Sequence, residues 1–121
     1  MHFHRDVIAM CDAFPRSCLA SSKDDIFCGT PPLAFTFGLG GMLAFPMRVG
    51  ASTVLVEKLS PETLLETIQR FKATVCFSAP TMYRAMASLT FGRNEVFLPS
   101  PCVVSATSRP SRRSSAALPG A

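Results

Sequence analysis

Apolar positions recur along this chain with a changing period, and the changes mark its elements. Phe3, Val7, Met10, Cys11 and Phe14 follow one another at three- and four-residue steps while Arg5 and Asp12 fall elsewhere. That spacing predicts an amphipathic helix over residues 2–14, without a capping side chain before it and ended by Pro15. A polar stretch, residues 17–25, leads into the longest run without a charge, which is first broken at Arg48. Ile26, Phe27 and Cys28 read there as a short buried strand closing at Gly29. Pro31-Pro32 holds the next residues extended or turned, and residues 40–47 then form a buried helix stopped at Pro46 or shortly after. Gly50 supplies a left-handed cap that reverses the chain.

The second half has the clearer rhythm. Within residues 51–57 the run STVLV is β-branched and continuous, as in a strand covered on both faces. Ser60-Pro61-Glu62 combines an N-cap hydroxyl, a proline at the first helical position and an acid in the first turn. Leu64, Leu65, Ile68 and Phe71 make the apolar stripe of the helix so started, with Glu66 and Arg70 spaced to pair on its wet face. Residues 74–77 (TVCF) are a second buried strand. Strand, helix and strand in this order predict a parallel, right-handed βαβ unit and an α/β fold. Ser78 to Thr81 leaves the second strand at its carboxyl end, where open α/β sheets place ligands. Met82, Ala85, Met86 and Leu89 give one more short helix.

Residues 99–121 break this pattern: 23 residues with six Ser, four Pro, four Ala and three Arg, without an acid or an aromatic ring. Such a segment has little to bury and is expected to be a disordered tail following an ordered unit over residues 1–98. The tail also explains the charge. Residues 1–98 carry nine Lys/Arg against eight Asp/Glu, so most of the net +4 comes from Arg109, Arg112 and Arg113. A nearly neutral body without aromatic residues interleaved among basic ones argues against nucleic acid as a partner.

Five cysteines, an odd number without C-x-x-C spacing and without a secretory leader, fit reduced, buried thiols in the cytoplasm. His2 and His4 do not share a helix face, and no metal site is expected. Residues 26–47 could span a bilayer by length, but three prolines and four glycines make them a poor membrane helix, and no membrane association is expected. On general grounds Phe35, Phe37 and Phe45 read as core. Gly38, Gly40 and Gly41 read as close-packing residues, since no Lys-Ser/Thr follows to complete a phosphate cradle. Asp24 and Asp25 sit in a solvated loop, and Arg84 is a surface charge.

Taken together, TPPLAFTFGLGG, VGASTVLVEK, PETLLETIQRF and TVCFSAPTMYRAM resemble the adenylate-forming acyl-CoA synthetases, with the nearest likeness to the aryl-acid branch of benzoate– and 2-aminobenzoate–CoA ligases. The likeness runs in unbroken order over residues 2–89. It implies partial parallel-sheet layers of that family's large amino-terminal domain. The implied reaction joins an acid to ATP as an acyl-adenylate, from which CoA displaces AMP with magnesium assisting. By the same resemblance Phe37 faces the acyl group with Thr36 and Gly38 beside it, Pro80 and Thr81 form a turn lining the same cavity, and Tyr83 supports that turn. The implied ligand is a small aromatic carboxylic acid, which suits a flat ring beside a glycine-sized gap.

The family's phosphate loop would precede Met1. Its S-A-G-E and G-x-T-E motifs, its hinge and its catalytic lysine are not found after Leu98, where the tail reads like a gene translated in a shifted frame. No catalytic, cofactor-binding or metal-binding residue is therefore assigned. The expectation is a fragment of such a ligase, inactive alone, with a non-catalytic interaction fragment as the alternative.

Overall fold

The computed structural model describes residues 2–91 and 102–105. Its sheet has four parallel strands, β1 (Ile26–Gly29), β2 (Ser52–Val54), β3 (Val75–Ser78) and β4 (Cys102–Ser105), in the spatial order β2-β1-β3-β4. The chain therefore passes from β2 through α4 (Pro61–Phe71) to β3 with β1 lying between the two strands, Phe27 pairing with Thr53 on one side and with Val75 on the other. The parallel arrangement is the one the strand–helix–strand order predicts.

Alternation along β1 and β3 divides the core in two. Phe27, Val75 and Phe77 point to one face and join Cys11, Leu19, Met42 and Phe45. Those partners come from α1 (His4–Phe14), from the π-helical turn Pro15–Leu19 after it, and from the helical stretch made of α2 (Thr36–Leu39), a second π-helical turn (Gly40–Ala44) and α3 (Phe45–Val49). Cys28 and Cys76 point to the other face and pack with Leu64, Ile68, Ala73 and Met86 of α4, the following turn and α5 (Pro80–Phe91). The result is a helix–sheet–helix sandwich, in which buried Phe27 and Phe77 each contribute on the order of 2–3 kcal/mol through the apolar area they remove from water.

Local signals explain most boundaries. Ser60 Oγ accepts from the Thr63 N–H at 3.2 Å, and Pro61 opens α4. Asp6 reaches back to the Phe3 N–H at 2.8 Å, a one-sided cap for α1, which lacks an N-cap side chain as expected. Gly50 takes φ 75° after α3 and turns the chain into β2. Asp12 receives two bonds from Arg48, at 2.8 and 3.1 Å, tying α1 to α3; the guanidinium holds the Asp12 carboxyl below its ordinary range.

Several expectations are corrected. Pro15 ends the α-helical ladder as expected, α1 closing at Phe14, but the chain goes on winding through a π-helical turn, Pro15–Leu19, whose first carbonyl accepts from the Ala20 and Ser21 N–H groups. The second helical stretch starts at Thr36 rather than at residue 40 and runs past Pro46. There the ladder changes from five-residue to four-residue spacing, so an absent donor is tolerated. The strand of residues 51–57 is only Ser52–Val54 and borders the described sheet, with Leu55 63% exposed, so it is not covered on both faces. Phe71 is exposed at the end of α4, and Arg70 lies over its ring at 5.3 Å instead of pairing with Glu66.

On α1, Phe3 and Val7 are exposed and the stripe reaches the core only from Met10 onward. Disorder over residues 99–121 does not hold for Cys102–Ser105, whose β-branched run pairs with Val75–Ser78 as β4; the rest of that segment lies outside the described residues. Among the described residues no helix is long and apolar enough to cross a membrane.

Packing against the aromatic core is close at Gly41, where a Cβ would overlap the ring of buried Phe77. Gly41→Ala is expected to lower stability by about 1–3 kcal/mol, the usual cost of overpacking a core, read as a drop in the urea midpoint at unchanged m-value.

Candidate functional site

The two central strands stop within one residue of each other, and the segments leaving their carboxyl ends form the candidate site. Gly29 is in register with Phe77, and the next residue, Thr30, donates its N–H to the Phe77 carbonyl at 3.0 Å. Pro31 and Pro32 then hold the chain off the sheet. The Phe35 N–H returns to the Pro32 carbonyl at 3.1 Å, closing a small loop before α2 begins at Thr36. Gly38 seals that loop from inside: it is buried, and a Cβ there would overlap the Pro32 carbonyl oxygen. A glycine is required by this backbone approach rather than by its dihedral angles.

Phe37 is half-buried, its ring centroid 5.4 Å from that of Phe77 at a 57° tilt. Phe77 also meets Phe27 and Phe45, each at 6.2 Å, so the exposed side of Phe37 is backed by a fixed aromatic cluster. Thr36, at the first position of α2, is exposed. On the β3 side, Pro80 opens α5 and is half-buried, and Thr81 is exposed. The five residues singled out in the sequence thus fall into two groups, one at the start of α2 and one at the start of α5, joined through the end of β3.

Sequence reasoning missed the residues that make the joint. Thr30 Oγ1 and Ser78 Oγ lie 2.7 Å apart, 48 positions distant in the chain, with Ser78 fully buried. Ser78 was visible as the residue leaving a strand at its carboxyl end; its partner could not be known without the β1–β3 register. Beneath this pair, two residues back along both strands, Cys28 and Cys76 are register partners. The thiol–thiol hydrogen bond and burial push the Cys28 thiol far above its ordinary range. Tyr83 donates its hydroxyl to the Cys76 carbonyl at 2.8 Å, so it braces β3 from the α5 side, and burial raises its phenol strongly.

No residue from Gly29 to Gly38 or from Ser78 to Met82 carries an ionisable side chain. An aromatic wall, a glycine gap and two prolines can hold a flat apolar group, while the hydroxyl pair lies on the other face of the sheet. They do not fit a triphosphate, a magnesium ion or the phosphates of CoA, which need cations or carboxylates, and no step of adenylate chemistry is assigned to them.

A parallel α/β sheet with its candidate site at the strand ends is the architecture of a ligand-binding α/β enzyme domain. Residues 1–114 match the AMP-binding enzyme family, and the chain belongs to that family. The benzoate–CoA ligase of Thauera aromatica is 32% identical over 87 residues, covering 71% of this chain and 16% of that protein. The anthranilate–CoA ligase of Pseudomonas aeruginosa is 34% identical over 87 residues, covering 71% of this chain and 17% of that protein. In structure, the anthranilate CoA ligase AuaEII in complex with anthranoyl-AMP superposes with a TM-score of 0.77 at 36% identity, over 88% of this chain and 21% of that one. The chain thus spans about a sixth of the length of the curated relatives it matches.

Burial orders the thiols. Alkylation by iodoacetamide at pH 8, followed by peptide mapping, is expected to modify half-exposed Cys18 well before Cys28 and Cys76, whose labelling should require unfolding by urea.

Proposed function

We propose that this chain supplies one wall of the aromatic-acid pocket of an ATP-dependent aryl-acid–CoA ligase. In that reaction an aromatic carboxylate attacks the α-phosphorus of magnesium-bound ATP, pyrophosphate leaves, and the CoA thiol then displaces AMP from the acyl-adenylate to form a thioester. The observation that carries the reading is the Thr36-Phe37-Gly38 turn, seated on Phe77 at the carboxyl end of a parallel sheet. The half-buried Phe37 ring offers a planar apolar surface, and Gly38 keeps the loop behind it tight enough to hold that surface still. Pro80 and Thr81 border the same strand end. The similarity to benzoate– and anthranilate–CoA ligases supports an aromatic acid as the ligand. Free, unpaired thiols at Cys11, Cys18, Cys28 and Cys76 support a reducing, cytoplasmic setting.

The activation step belongs elsewhere in such a ligase. The 121-residue chain is expected to show no benzoate-dependent exchange of labelled pyrophosphate into ATP, and turnover above a no-protein control would refute its role as a pocket wall only. Benzoate is expected to move the amide resonances of Phe37, Gly38 and Thr81 in a heteronuclear NMR titration, and Phe37→Ala should abolish those shifts. Uniform or absent shifts count against the reading.

A further inference from the structure

The helical stretch from Thr36 to Val49 is apolar on its outer side as well as on the side that covers the sheet. Gly38, Gly41, Met42, Phe45 and Pro46 are buried, while Phe35, Leu39, Leu43 and Met47 remain 66%, 45%, 41% and 71% exposed. These four recur at four-residue steps. In an unbroken α-helix the two steps from Leu39 to Met47 would turn the side chain by about 80° around the axis. The π-helical turn Gly40–Ala44 takes in an extra residue and reduces that drift to about 20°, so the side chains stay on one line. Phe35, the residue before α2, continues the line at its start. No charge falls within the stripe, and Arg48 beside its end is held by Asp12. A helix that is apolar on both sides belongs in an interior.

We infer that this stripe is the interface of a two-fold symmetric dimer, in which two copies of the chain lay their α2–α3 stretches antiparallel. In that orientation the spacing is self-complementary: Phe35 meets the partner's Met47, Leu39 meets the partner's Leu43, and each contact occurs twice. A thioether against an aromatic ring is a favourable end contact. The antiparallel order also keeps the two Arg48 side chains at opposite ends, whereas a parallel one would set like charges side by side. At these exposures the four side chains hold on the order of 400 Å² per copy, or about 800 Å² in the pair. That is the apolar share, about two-thirds, of a homodimer interface at the lower end of the standard size. The inference is independent of the acid pocket.

Sedimentation equilibrium of the 121-residue chain from about 1 to 100 μM is expected to fit a monomer–dimer equilibrium, since an interface of this size associates weakly. Leu43→Glu places a charge in the interface and should weaken association about 100-fold, with the urea midpoint of the dilute monomer unchanged. An equimolar mixture of Leu39→Cys and Leu43→Cys chains, oxidised in air, should give a dimer whose peptide map joins position 39 to position 43. Either cysteine variant alone should cross-link no more than the parent, and this arm decides the matter if Leu43→Glu fails to fold. A chain that stays monomeric throughout the concentration range overturns the inference and leaves the stripe to a different occupant. Aggregates of mixed size, a dimer that Leu43→Glu leaves intact, or equal cross-linking in either cysteine variant alone also overturn it.

Discussion

The structure depends on how closely a helix can approach Phe77. This ring is buried in the middle of the sheet's aromatic face, in contact with Phe27, Phe37 and Phe45. The helical stretch that covers it can lie down only because residue 41 has no side chain. The π-helical turn over Gly40–Ala44 falls at this contact, so the extra residue in the ladder is placed where the helix is pressed hardest against the sheet. Such widened turns are common at functional sites, and here the widening directly follows α2, the helix that carries Phe37. Packing and site geometry are therefore one constraint: the contacts that fix Phe77 also fix the surface Phe37 presents.

Much of this was legible in the sequence because it is local. Ser60-Pro61-Glu62 marks a helix start by itself, Gly50 marks a reversal, and TVCF between turn residues marks a buried strand. The parallel order follows from the short helix between two strands. The misreadings share a different cause. Pro15 does end the α-helical ladder, but winding continues beyond it and through Pro46, because a missing N–H costs little where the ladder changes spacing, and hydrophobic periodicity carries no sign of such a change. STVLV has the composition of a central strand, yet a strand's place in the sheet is decided by which neighbours pair with it. The chain inserts β1 between β2 and β3 and leaves β2 at the border of the described sheet. The short strand at Cys102–Ser105 was hidden by its polar surroundings, since composition averaged over 23 residues conceals a four-residue run.

The candidate site was legible only in its apolar half. Phe37 and Gly38 stand out because glycine beside aromatic residues is a local pattern, and the family resemblance then gave that pattern a direction. The hydroxyl pair could not be found in the same way. Threonine before two prolines reads as a turn, and serine after a strand reads as a strand end. Only the register that puts Gly29 opposite Phe77 makes the residue after each of them a partner of the other.

The same register sets the polarity of the sheet. On the face toward α1 and α3 the central strands present Phe27, Val75 and Phe77, an apolar surface. On the face toward α4 and α5 they present Cys28 opposite Cys76, followed beyond the last ladder residue of β1 by Thr30 opposite Ser78. Thiols are weak hydrogen-bonding groups and tolerate the interior, whereas hydroxyls need a partner, so the polar rung sits at the strand ends where one of its two members can reach the surface. Because Tyr83 ties α5 to the Cys76 carbonyl directly beneath, the helix that begins at Pro80 is held against this rung, and Thr81 stays exposed beside it. The sheet thus keeps its dry side under the aromatic wall and carries its hydrogen-bonding rung on the opposite face, at the strand ends.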